Sequence, residues 1–243
     1  MNRGIAALFG FGTLVGLSIQ VLAGASAPSL PAASSEYVAL ERFLADVEKP
    51  PVAYQARRRL EASSAKLNES AWMEAVTTFE PRGGFTYSIV AQGGSERIQR
   101  RVLKSVLEAE REQSVANEWR KATLSRDNYE FNFSGRTDEG MLKLELLPRR
   151  RDTRLVTGSA LLTAVSGDLV RVDGRLSKSP SFWVRWVKVS RTYSPVGGRM
   201  MPVGIESTAD VKIAGMSTFS MEYDYQMVDG HAVNASPKMF ASR

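Results

Sequence analysis

The run Ser181 to Gln226 ends in almost pure alternation of apolar and polar residues, and this pattern limits the fold more than any other feature. Ile205, Val211 and Ile213 fall on one side of an extended chain, with Glu206, Thr208, Asp210 and Lys212 on the other. Past a turn at Gly215, Phe219, Met221, Tyr223 and Tyr225 face one way, and Thr218, Ser220, Glu222 and Asp224 the other. Period two with β-branched and aromatic residues means strands with one dry face and one wet face. Something apolar must then cover the dry face.

The same alternation recurs upstream. Tyr129, Phe131 and Phe133 alternate with Glu130, Asn132 and Ser134; Leu142, Leu144 and Leu146 with Lys143 and Glu145; Val170, Val172 and Leu176 with Arg171, Asp173 and Arg175. Turns at Asp138-Glu139-Gly140, Ser166-Gly167 and Pro195 to Gly198 are short, which makes each strand the antiparallel partner of its sequence neighbour. Phe85, Tyr87 and Ile89 add a strand after Gly83-Gly84. Two segments have helical spacing instead. Tyr37, Leu40, Phe43, Leu44 and Val47 form a stripe that Pro50-Pro51 ends, and Ile98, Val102, Leu103, Val106, Leu107 and Ala109 form a wider one, opened by Ser95 as N-cap and running to about Asn117. Ala53 to Lys66, rich in Ala, Arg and Glu, reads as helix by propensity. The expected fold is α+β: a strongly curved antiparallel β-sheet whose helices lid its concave apolar face. The candidate wall of a hydrophobic-ligand cavity is then Phe131, Phe133, Leu142, Leu144, Leu146, Val170, Val172, Ile205, Val211, Ile213, Phe219, Met221 and Tyr223, with Val102 and Val106 from the lid.

Residues 1–27 have the pattern of a secretory signal: Arg3, an apolar stretch from Ile5 to Leu22, and a small-residue cleavage site ending at Ala27. Residues 28–35 are a flexible leader, 36–227 a single domain and 228–243 a loose tail. Export places the domain in the periplasm and makes nucleic acid an unsuitable partner. There is no Cys, so stability rests on the core and not on disulfides. Losing Arg3 and no acid takes the net charge from +6 to +5, which suits anionic lipid headgroups or acidic partners. The domain is expected to be a monomer without cofactor or metal.

No catalytic signature stands out. G-x-S-x-G is absent, and the single His231 lies in the tail, a poor place for a triad base. Glu206, Asp210, Glu222 and Asp224 fall on the wet face, where paired carboxylates are ordinary surface. A secreted hydrolase is therefore the weakest reading. Trp183 and Trp186, three apart, cannot share a strand face; one belongs to the core or cavity and the other outside or at a rim. The loop Arg149, Arg150, Arg151 and Arg154 is either a solvated turn or a dock for a membrane or partner protein.

Val172-Asp173-Gly174, the run Pro180 to Trp183, Tyr193, Gly197-Gly198, Met201-Pro202 and Tyr223 to Tyr225, together with SAWMEAVTTF and GGSERIQRRVLKSVLEAE upstream, resemble the LolA/LolB/RseB-like outer-membrane lipoprotein-sorting superfamily. The likeness spans most of Glu36 to Gln226. It implies a half-open barrel of about ten or eleven strands, with Ala53 to Glu80 as strand, and helices lidding a cavity for acyl chains of lipid or lipoprotein. The role implied is that of a binding or carrier protein in outer-membrane biogenesis and transport, or alternatively an envelope sensor of the RseB type, with a partner protein in the inner or outer membrane.

Overall fold

Alternation along the chain becomes one antiparallel sheet in the computed structural model, which describes residues 35–49, 52–115 and 118–233. The strands are β1 (Tyr54–Ser64), β2 (Glu69–Glu80), β3 (Gly84–Gly94), β4 (Tyr129–Arg136), β5 (Leu142–Pro148), β6 (Val156–Leu162), β7 (Leu169–Leu176), β8 (Val184–Val196), β9 (Arg199–Val211) and β10 (Gly215–Val228). They lie in the order β3-β2-β1-β10-β9-β8-β7-β6-β5-β4, and the short β11 (His231–Ala232) pairs with the end of β10. Every neighbour is adjacent in sequence except β1 and β10, whose ladder from Tyr54↔Val228 to Ser64↔Ser217 joins the first hairpins to the last. With β3 and β4 as unjoined edges, the sheet is an open, curved half-barrel, as expected. The signal, residues 28–34 of the leader, the Pro50-Pro51 stop, Asn117 and tail residues 234–243 lie outside the described residues.

The helix that propensity favours over Ala53 to Lys66 is instead β1. Its residues pair with β2 on one side and β10 on the other, and Ala56, Arg58, Leu60 and Ala62 are buried while Arg57, Arg59 and Glu61 are not. Two complete ladders outweigh a few tenths of a kcal/mol per residue of helix preference. Neither tryptophan reaches the core. A bulge between Val184 and Trp186 changes the parity of β8, so that Val184, Val187 and Val189 point inward. Trp186 lies half-buried under the Arg175 guanidinium at 5.0 Å, and Trp183 is exposed.

The apolar face carries two cores, each under its own helix. Helix α1 (Ser35–Val47) buries Ala39, Phe43 and Leu44 against Tyr129, Leu142, Leu144, Leu146, Leu162 and Val172 of β4 to β7. The second helix starts at Ser95, whose hydroxyl accepts from the Ile98 amide, and runs as α2 (Glu96–Ile98), a π turn (Gln99–Leu103) and α3 (Lys104–Val115). The five-residue π spacing turns both Ile98 and Leu103 toward the sheet. With Val106 and Leu107 they cover Leu60, Met73, Phe85, Ile205 and Met221. Leu176 touches both cores.

At the centre of the larger core lies an ion pair. Arg58, fully buried on β1, donates to both carboxylate oxygens of Glu110 on α3 at 2.6 and 3.0 Å and to the Tyr54 hydroxyl at 2.6 Å. Its guanidinium stacks on the rings of Tyr223 at 4.5 Å and Phe85 at 4.9 Å. Burial opposes its charge, but the adjacent Glu110 carboxylate more than offsets that and holds it positive. The pair fixes α3 to the sheet. Removing one partner strands a buried charge, so Arg58→Met or Glu110→Leu alone is expected to lower stability by about 3–5 kcal/mol in urea titration. Arg58→Met/Glu110→Leu together should cost much less than the sum of the two.

Candidate functional site

The sheet has a gap at one end. β9 and β10 pair only from Gly215↔Val211 to Glu222↔Gly204, although β10 continues to Val228 and β9 starts at Arg199. Pro202 sits in the unpaired stretch and has no N–H to give the ladder. Its carbonyl is taken instead by the Tyr225 hydroxyl at 2.8 Å. β8 adjusts with a bulge between Thr192 and Tyr193, opposite Pro202.

A cavity of about 190 Å³ occupies this gap, at the seam between the two cores. Its apolar lining comes from Phe43 and Val47 of α1, from Val52, Leu124 and Leu169, and from Met200, Met201 and Pro202 of β9. Tyr54, Tyr193, Tyr223 and Tyr225 line the sheet side. Burial pushes the phenols of Tyr193, Tyr223 and Tyr225 above their ordinary range, so they stay neutral and able to hydrogen-bond. Arg191, Arg199 and Lys49 are the lining cations and Asp46 the one lining carboxylate; Lys49 binds Asp46 at 2.6 Å. This is a greasy pocket whose polar groups favour a negative end on whatever enters.

Of the expected wall residues, only Tyr223 lines this cavity. Leu142, Leu144, Leu146 and Val172 are buried under α1 with Phe131 packed against them, and Ile205, Phe219, Met221 and Val106 are buried in the α3 core with Val102 and Val211 against it. Val170 is half-buried. Phe133 and Ile213 are 48% and 59% exposed, Phe133 beside a bulge in β4 and Ile213 in the β9–β10 turn. Most of the expected residues thus make the cores that flank the pocket. The pocket is made largely by residues outside that set, above all Met200, Arg191 and Arg199. The available signal was Pro202 inside an otherwise continuous strand pattern, which marks a break in a ladder.

The two lids differ in how they are held. α3 has the buried Arg58–Glu110 pair beneath it. α1 has three buried side chains, and its polar ties are peripheral: Arg136 to Glu36 at 2.7 Å, Arg126 to Glu41, and Arg42 to the Val165 carbonyl. Exposed pairs of this kind contribute about 0–1 kcal/mol each. Among the described residues, no group of three His, Cys, Asp or Glu side chains stands close enough to hold a metal.

The basic loop between β5 and β6 is ordered around one acid. Asp152 accepts from Arg154 Nε at 2.9 Å, Arg154 Nη2 at 2.8 Å and the Arg154 amide at 3.0 Å, and lies 3.6 Å from Arg150 Nε. Arg150 also donates to Asn128 and to the Lys121 carbonyl.

A curved open sheet carrying two separately attached helices and an apolar seam defines a helix-lidded half-barrel. No protein-family model and no curated protein matches the chain. Among solved structures the fold resembles a LolA superfamily protein from Nitrosomonas europaea, at 13% identity over 79% of this chain and 92% of that one, with a TM-score of 0.40. It also resembles a DUF1329 family protein from Desulfovibrio piger, at 8% identity over 86% and 96% of the respective chains, with a TM-score of 0.38. Likeness of this degree transfers neither protein's role to this chain.

The hydrogen bonds from Arg154, with the positive charge of Arg154 and Arg150, hold the Asp152 carboxyl at about 2, below its ordinary 3.8. A depressed carboxylate stabilises the fold above its unfolded pKa and loses that contribution as pH falls through the folded value. Asp152→Asn is therefore expected to melt below the parent at pH 7, with the gap closing between pH ~4 and ~2. A gap unchanged across that window in thermal melts would contradict it.

Proposed function

We propose that the protein is a periplasmic binding or carrier protein for acyl chains of a lipid or lipidated protein, with α1 as its movable lid. The observation that carries this reading is the seam cavity, lined by Phe43, Val47, Leu124 and Met200 and edged by Arg191 and Arg199. At about 190 Å³ it exceeds the ~150 Å³ that accepts benzene in an engineered apolar void. A long chain needs more room, and α1 is the element able to give it. Uncovering Phe43 and Leu44 costs about 1.5–3 kcal/mol each, and an acyl chain returns ~0.8 kcal/mol per buried methylene. Roughly four to eight methylenes therefore offset the opening of α1. The cations at the rim, outnumbering the one carboxylate, suit a phosphate or carboxylate headgroup.

The experiment is native mass spectrometry of the protein taken from the exporting cell, with uptake of a fluorescent fatty acid by the purified chain. Bound acyl species and saturable uptake are expected. Met200→Trp, which fills the pocket from a half-buried position, should weaken uptake more than about tenfold while the melting temperature moves by only a few degrees. A parent that takes up no acyl probe, or a Met200→Trp variant that binds like the parent, would contradict the reading.

A further inference from the structure

The end of the sheet opposite the seam gap has a composition of its own. Alternating strand directions bring four connections there: residues 65–68 between β1 and β2, 149–155 between β5 and β6, 177–183 between β7 and β8, and 212–214 between β9 and β10. They are tied into a continuous rim. The Ser177 amide donates to the Leu155 carbonyl at 2.8 Å, the Lys212 amide to the Trp183 carbonyl at 2.8 Å, and the Ala65 amide to the Met216 carbonyl at 3.0 Å. These four segments carry seven Lys or Arg and a single acid, Asp152. The turns at the other end, at residues 81–83, 137–141, 163–168, 197–198 and 229–230, carry one Arg and four acids. The charge of these turns is therefore polarised along the strands.

The basic rim also has exposed apolar side chains. Phe182, Trp183 and Ile213 are 78%, 48% and 59% exposed, large values for such residues. They are neighbours: Phe182 and Trp183 meet edge to face at 5.6 Å, and Lys212, next to Ile213, places its ammonium 3.4 Å from the Phe182 ring centroid. Aromatic rings with an apolar body, surrounded by Lys and Arg, are the side chains that settle at the boundary between lipid headgroups and acyl chains.

We propose that this rim seats the protein on an anionic phospholipid bilayer, with Phe182, Trp183 and Ile213 entering the headgroup layer while Arg151, Lys178 and Lys212 contact lipid phosphates. The acidic turns then face away from the membrane, so the charge distribution fixes orientation as well as attraction. The inference is independent of the cavity, since the rim can dock whether or not the seam holds a ligand.

The full chain has no Cys, so one label reports one position. Phe182→Cys carrying an environment-sensitive fluorophore is compared with Val165→Cys, which is 79% exposed in a turn at the acidic end. The label at 182 is blind to contacts made elsewhere on the chain. With mixed phosphatidylglycerol–phosphatidylcholine vesicles, emission at 182 should shift to the blue and rise several-fold, weaken with added salt, and leave the signal at 165 unchanged. Adding Arg151→Glu, Lys178→Glu and Lys212→Glu to the Phe182→Cys chain should lower its apparent vesicle affinity by about tenfold or more. No response at 182, an equal response at 165, or an equal response with phosphatidylcholine alone overturns the proposal; the last would mean that apolar contact without charge accounts for the binding.

Discussion

Arg58 has no exposed surface, and the groups facing it are arranged so that its charge has somewhere to go. Glu110 takes two of its hydrogen bonds, Tyr54 a third, and the Tyr223 and Phe85 rings cover the guanidinium faces. A buried pair of this kind is a poor source of net stability, because desolvating two ions costs about what their attraction returns. Its effect is on geometry. Any movement of α3 that separates Glu110 from Arg58 leaves an unpaired charge in an apolar core, so one position of the helix is strongly preferred. Tyr54 and Tyr223, which touch Arg58, also line the seam cavity, and so the anchor sets the shape of one cavity wall.

With α3 held by this pair, the proposed lid movement falls to α1. Its contacts are the kind that exchange easily: a few apolar side chains an acyl chain can replace, and solvent-screened ion pairs. Pro202 contributes the other half. By ending the β9–β10 ladder it leaves a wedge in the sheet under the C-terminal end of α1, where Asp46 and Val47 stand. A pocket arises between two cores because one strand pair cannot close, beneath the less firmly held of two lids. The basic rim lies at the other end of the same strands.

Much of this fold was legible because period two is a strong signal when repeated. Leu142, Leu144 and Leu146, or Phe219, Met221 and Tyr223, announce a buried face whatever pairs with them. The edges of the pattern misled. Read as composition, Arg57, Arg58 and Arg59 look like solvated helix; read as strand, they divide into two outward arginines and one inward, and the inward one calls for a buried acid. Glu110 lies seven residues past Leu103 and three past Leu107 and so belongs to the buried stripe of its helix. Neither residue declares itself alone, since the pair exists only once β1 and α3 are packed. The cavity was less legible for a related reason. A dry face is visible in the pattern, but whether side chains fill it depends on β9 parting from β10, and only Pro202 hints at that. Bulges had the same effect, at Val184/Trp186 turning Trp186 out of the core and beside Phe133 leaving that ring exposed.

The central claim is that α3 is anchored and α1 is the lid, and native-state hydrogen exchange reads this directly. Amides of Ser35–Val47 should open through a local, low-energy fluctuation, while those of Lys104–Val115 exchange only near the global unfolding free energy. Addition of a fatty acid should change protection in α1 and leave α3 as it was. Equal protection of the two helices, or α3 opening first, would contradict the account.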